Sequence, residues 1–115
     1  MKNSRRKGAR AEREFASLLR EHGFDARRGQ QFAGSPDSPD VVCDPLAWLR
    51  FEVKRVERLD LRGAVAQAEG DSAGKPWAVA HRWNGGHWLM TMDASLFFRL
   101  LRGDFPEPIT KGTTP

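Results

Sequence analysis

Apolar positions first fall into step at Ala11, Phe15, Leu18 and Leu19, with His22 continuing the series. That 3.6-residue stripe predicts a helix over 7–22, and Gly23 supplies its stop. A short strand over 24–28 and a polar loop over 29–38 follow. Two extended runs, 40–43 and 49–55, are joined through the turn-forming Asp44-Pro45. In the second run Leu49, Phe51 and Val53 alternate with Arg50, Glu52 and Lys54, so the two sets lie on opposite faces of a strand. Helical spacing returns over 59–69, where Leu61, Ala64, Val65 and Ala68 share a side and Asp60 stands near the start. Strands over 77–83 and 87–92 flank Asn84-Gly85-Gly86, a hairpin signal. Residues 93–102 read as a third helix with Asp93 as N-cap.

The order is helix, three strands, helix, two strands, helix, which predicts a mixed α/β sandwich around a central sheet of about five strands. At 115 residues the chain has room for one modest core. A single domain is expected over 1–102, with a loosely ordered tail over 103–115 that holds three prolines. Phe97, Phe98, Leu100 and Leu101 give the third helix more apolar positions than one face needs. Core packing is the expected use of the surplus, ahead of a dimer contact. Trp48, Trp77, Trp83 and Trp88 are likewise expected mostly in the core.

Composition removes several classes of function. No apolar run approaches the ~18 residues that span a membrane. No apolar segment follows the charged start MKNSRRKGARAERE, so no secretory signal is expected. A lone cysteine, Cys43, fits a reducing cytoplasm, and with three scattered histidines it gives no zinc-ligand spacing. Gly70 to Lys75 hints at a phosphate loop, but one residue is missing between the glycines and Pro76 stands where Ser or Thr is needed.

Charge is uneven. Residues 1–28 hold nine Lys or Arg against four acids, a net +5 in a chain whose total is +4. A solvated basic helix would look the same. So would a surface for a polyanion, where each phosphate contact releases condensed counterions.

The candidate chemistry lies in the two extended runs. If 40–43 pairs antiparallel with 49–55, Cys43 faces Leu49, Val42 faces Arg50 and Asp40 faces Glu52. Opposed like charges are destabilising, and here Lys54 lies on the same face nearby. A divalent cation would relieve the repulsion, and one or two carboxylates with water and substrate phosphate are what Mg²⁺ prefers. An edge strand with its polar face in water is the plainer reading of Glu-x-Lys alone. The full set, Asp before one strand and Glu-x-Lys in the next, favours a site. Asp40 leads directly into Val41-Val42-Cys43, whereas Asp37 is followed by Ser38-Pro39, which argues against a continuous strand. Asp40 is therefore the expected ligand and Asp37 a loop residue.

Pro39-Asp40 and, after 11 intervening residues, Glu52-Val53-Lys54 resemble the PD-(D/E)XK nuclease motif. Lys7-Gly8-Ala9-Arg10-Ala11-Glu12-Arg13-Glu14, with His22-Gly23-Phe24, is similar to the opening helix of archaeal-type Holliday junction resolvases. The likeness runs from about Lys7 to Met92. It implies a restriction endonuclease-like core, a homodimer, four-way DNA junctions as substrate, and Mg²⁺ with Mn²⁺ as a substitute. It puts metal ligands on Asp40, Glu52 and the Val53 carbonyl, and the helix acid on Glu12. Helical geometry alone scarcely separates Glu12 from Glu14. Lys54 takes the place of the family's lysine, and Ser35, with Ser38 competing, that of its loop serine. Arg28 takes that of the basic residue after the first strand, and Gln67 matches the polar residue that some members of the wider nuclease group place on the second helix. Arg5, Arg6, Lys7, Arg10, Arg13, Arg28 and Arg55 are the expected phosphate contacts, and one tryptophan is available to wedge against an unstacked base. The alternatives are another nuclease of the same fold, acting in repair, nicking or restriction, and a non-catalytic DNA-binding module.

Overall fold

The computed structural model describes residues 4–29 and 40–105, without the side chains of 4–7. Helix α1, Ser4–Glu21, turns Ala11, Phe15, Ala16 and Leu19 inward. It starts earlier than the apolar stripe suggests. It ends where Gly23 takes φ 92°, a conformation that costs glycine little, and the Phe24 amide closes on the Leu19 carbonyl at 2.9 Å.

Five strands form, as the pattern predicts, but their pairing corrects the expected hairpin. Strand β2, Val41–Cys43, pairs antiparallel with β1, Ala26–Arg28, in the register Ala26↔Cys43 and Arg28↔Val41. It does not ladder with β3, Arg50–Arg55. Asp44-Pro45-Leu46 winds into a single 3₁₀ turn instead of a hairpin turn. The partner of β3 is β4, Trp77–Arg82, in parallel from Arg50↔Trp77 to Arg55↔Arg82. Parallel neighbours require a crossover. Helix α2, Leu61–Asp71, provides it. Strand β5, Leu89–Met92, completes the order β3-β4-β5, meeting β4 antiparallel from Ala78↔Met92 to His81↔Leu89. The hairpin expected around Asn84-Gly85-Gly86 is therefore present, with a loop that runs over 83–88.

Alternation on β3 and β4 serves two cores. Phe51, Val53, Ala78 and Ala80 face α1, where Phe15 meets Phe51 edge-on at 5.2 Å between ring centroids. Val79 faces Ala64 and Ala68 of α2, with Leu59, Val65 and Trp77 around them. Glu52 is opposite Val79 in the ladder and therefore points to the α2 side. The polar face of β3 is covered, not bathed in water.

Helix α2 begins at Asp60, whose side chain accepts from the Gly63 amide at 3.0 Å. Asp60→Ala is expected to destabilise the protein by about 1 kcal/mol. A thermal melt against the native chain checks this, and an unchanged melt would mean that the cap contributes nothing.

Helix α3, Ala94–Arg102, corrects another expectation. Only Leu96 is buried, while Phe97, Phe98 and Leu101 are exposed. Both faces of the sheet are already taken by α1 and α2, which leaves α3 little core to enter. Of the expected tail, Phe105 stacks on Trp48 at 6.3 Å, and residues 106–115 lie outside the described residues. No helix among the described residues is long and apolar enough to cross a membrane.

Candidate active site

The edge of β3 away from β4 is where the acids meet. Arg50 and Val56 send their amides to β4 or its flanks, to the carbonyls of Pro76 and Arg82. Odd-numbered residues of β3 therefore turn their N–H and C=O to the other edge. There the Val53 amide donates to Asp40 Oδ2 at 2.9 Å. Asp40 is itself fixed just ahead of β2, because its carbonyl accepts from the Gly29 amide at 2.9 Å. The expected meeting of Asp40 with β3 thus exists, made by a side chain bridging the gap between β2 and β3 and not by a strand ladder.

Glu52 is 2% exposed. Its Oε2 lies 3.6 Å from Lys54 Nζ, and its Oε1 is buried without a hydrogen-bond partner among the described residues. Burial raises the Glu52 pKa to about 7, and the charge of Asp40 adds to the rise while Lys54 opposes it. Burial also raises Asp40, against the Val53 amide and Lys54, which favour its charged form. A bound cation would relieve both the orphaned carboxylate oxygen and the repulsion from the second carboxylate.

The structure separates Glu12 from Glu14. Glu12 is buried on α1 and accepts from Arg28 Nε at 2.9 Å. Desolvation raises its pKa, the Arg28 hydrogen bond opposes that, and Asp40 adds to it. Glu14 faces away, binding Arg55 Nη1 at 2.5 Å and Arg82 Nη1 at 3.5 Å. A cleft of about 390 Å³ is lined by Glu12, Asp40, Glu52, Val53, Lys54 and Gln67, among others. Gln67 arrives from α2, on the same side of the sheet as Glu52. A larger cavity of about 410 Å³, lined by Cys43, Arg50 and Lys75, touches none of the three carboxylates.

Among the described residues, no three acidic, histidine or cysteine side chains are close enough to cage a metal alone. The donor set nonetheless suits a hard cation that takes one or two carboxylates and completes its shell with water and phosphate. Ser35, Ser38 and Asp37 lie outside the described residues, as do the side chains of Arg5, Arg6 and Lys7. Arg10 and Arg13 are exposed on α1. Arg28 and Arg55 are engaged within the protein, with Glu12 and Glu14 respectively.

The Glu14–Arg55–Arg82 network was invisible in the sequence, where its members are 41 and 68 residues apart. No short-range periodicity links such positions. Arg55 Nη2 also donates to Asn84 Oδ1 at 3.2 Å, and the Asn84 amide donates to Glu57 Oε2 at 2.7 Å, so the β4–β5 loop is tied to the end of β3.

A family model described as archaeal Holliday junction resolvase (Hjc) matches residues 3–92. Among solved structures, that of Archaeoglobus fulgidus Hjc, a Holliday junction resolvase from an archaeal hyperthermophile, aligns with a TM-score of 0.54 at 25% identity. The alignment covers 88% of this chain and 99% of that one. None of the curated proteins matches the chain. The mixed α/β architecture, sheets flanked by helices, is similar to that of this structure and consistent with a restriction endonuclease-like fold.

Proposed function

The chain belongs to the archaeal Holliday junction resolvase family, and we propose that it cuts four-way DNA junctions by metal-assisted phosphodiester hydrolysis at the cleft beside β3. The observation that carries this reading is the buried Glu52 Oε1, without a hydrogen-bond partner among the described residues, in one cleft with Asp40, whose own carboxylate is held on the Val53 amide.

Asp40 and Glu52 would hold a divalent cation, Mg²⁺ or in its place Mn²⁺, with the Val53 carbonyl on the same strand edge as a third donor. Such an ion, when bound, supplies positive charge at the scissile phosphate and a water of lowered pKa. The protein's own groups do the rest. Lys54, 3.6 Å from Glu52, positions the attacking water or offsets negative charge growing on the phosphoryl oxygens. Glu12, oriented by Arg28, accepts hydrogen bonds from water in the cleft. Gln67 offers both an amide donor and an acceptor from the α2 side.

Arg10 and Arg13 on α1, and the β1 residue Arg28, which is bonded to Glu12 of the cleft wall, suit backbone phosphates, which fix orientation without reading sequence. Arg5, Arg6 and Lys7 extend the same basic stretch. Arg55 reaches phosphate only by sharing its guanidinium with Glu14. Resolution needs two opposed strands cut, so a symmetric homodimer carrying two such clefts suits the task.

Incubation with Mg²⁺ and either a four-way junction or its separate linear arms tests the assignment. Cleavage confined to the junction is expected. Equal cutting of both substrates would place the protein with the duplex nucleases of the same fold, and binding without cutting would leave only a DNA-binding module.

A further inference from the structure

We propose that Trp83 is a stacking platform for an unpaired nucleobase at the branch point, so that the β4–β5 loop contributes to the recognition of branched DNA; this rests on the junction-cutting reading above. The other three tryptophans have ring or core partners. Trp88 packs on Phe15 with Arg82 over its ring, Trp77 lines the α2 core, and Trp48 meets Phe105. Trp83 is 47% exposed and has no ring partner among the described residues.

A single exposed apolar side chain is ordinary. One packed on a glycine, in a loop tied to the end of β3, is less so. The Trp83 carbonyl accepts from the Gly86 amide at 2.9 Å, closing a turn. The indole lies against Gly86 so closely that a Cβ there would fall 2.8 Å from its ring atoms. Only glycine at 86 leaves that space. The next residue, Asn84, is held by both Glu57 and Arg55. The backbone that carries the indole is therefore already held in place, which lowers the ordering cost of binding.

Its loop joins the site through Asn84. The catalytic cleft includes Arg55 and Val56 in its wall, and the same two residues line a second pocket of about 230 Å³ with Arg10, Glu57 and Asn84. Because the two pockets share a wall, a strand with its phosphate in the first would bring a neighbouring nucleotide towards the second. There Arg10 and Arg55 would face its backbone, with Trp83 next to Asn84 in the loop. Paired bases in a continuous arm are stacked and closed to an indole. Bases at the point of strand exchange are the ones able to unstack. Base–aromatic stacking tolerates any sequence, because every base has a π-face.

The test uses a four-way junction carrying 2-aminopurine at the exchange point, and a linear duplex of the same strand, both in EDTA to prevent cutting. The native protein is expected to change the emission of the junction probe and not that of the duplex. Trp83→Ala should abolish the change and weaken junction binding about tenfold, with duplex binding unaltered. Trp83→Phe should restore most of both, and Trp83→Leu, which keeps apolar bulk without a π-face, should not. Restoration by Leu as complete as by Phe would reduce Trp83 to packing and overturn the proposal. So would Trp83→Ala binding the junction as the native protein does, or losing junction and duplex equally. Failure of the junction reading itself shows separately, as native protein that cuts linear arms as readily as junctions.

Discussion

Glu52→Gln is expected to abolish junction cleavage while leaving junction binding intact or stronger. The amide keeps the shape of the side chain and fills the same buried position, but it has no negative charge to offer a cation. Loss of a carboxylate ligand to the catalytic ion should lower the cleavage rate roughly a thousandfold or more. Binding is measured by gel shift in EDTA and cleavage by single-turnover assay in Mg²⁺. Cleavage within a few fold of native would mean that the cleft beside β3 is not the active site.

The same substitution carries a stability signature that a merely misfolded variant cannot imitate. Without a cation, Glu52 has its pKa raised from an ordinary 4.5 to about 7, with burial as the main cause. Below pH 4.5 the carboxyl is protonated in both the folded and the unfolded chain and exerts no penalty. From there to about pH 7 the unfolded chain ionises while the folded one keeps its proton, so stability falls as pH rises. Above that window the loss is complete, on the order of 3 kcal/mol. Gln does not titrate. In EDTA at pH 8, Glu52→Gln should therefore melt higher than the native protein, by roughly 10 °C, and the difference should close as pH falls toward 4.5. Added Mg²⁺ should raise the native melt and not that of the variant. Equal melts at pH 8 would show that Glu52 is solvated or paired in a way its burial denies.

How much of this was legible beforehand follows from the range over which each signal acts. Period-two alternation is local, so the separation of Phe51 and Val53 from Glu52 and Lys54 could be read directly, and all three helices announced themselves by spacing and caps. Strand pairing is not local. Proximity in sequence points the 40–43 run to its nearest extended neighbour, β3, yet β1 takes it, because β3 lies beside β4 with α2 as crossover and both faces covered. Asp40 still reaches β3, through one side-chain hydrogen bond that no pattern announces. Glu12 and Glu14 stand at either edge of one apolar stripe, so helical geometry ranks them equally. What parts them is partners from β1, β3 and β4, chiefly Arg28 for one and Arg55 with Arg82 for the other. Surplus apolar residues on α3 read as core because hydrophobicity records a tendency to be buried, and the sheet faces that would bury them are already occupied.

Asp40 has one observed part and one proposed part, which a pair of substitutions can separate. Its carboxylate satisfies the Val53 amide across the break between β2 and β3, and in the proposed mechanism it would also help hold the cation. Asp40→Asn keeps an oxygen that can accept from that amide but loses the charge. Asp40→Ala loses both, and leaves a half-buried N–H without its acceptor. Both variants should cut junctions roughly a thousandfold more slowly. Their stabilities should diverge. The orphaned amide in Asp40→Ala costs about 1–3 kcal/mol, whereas Asp40→Asn should lie close to native, and above it at pH 8, because removing one charge also relieves Glu52. Urea denaturation of the two proteins in EDTA, beside single-turnover cleavage, reads both effects. If Asn and Ala were equally stable, the bridge to Val53 would contribute nothing to the fold. If Asn retained cleavage, the charge of Asp40 would not be needed for the ion, and the ligand set drawn here would lose its first member.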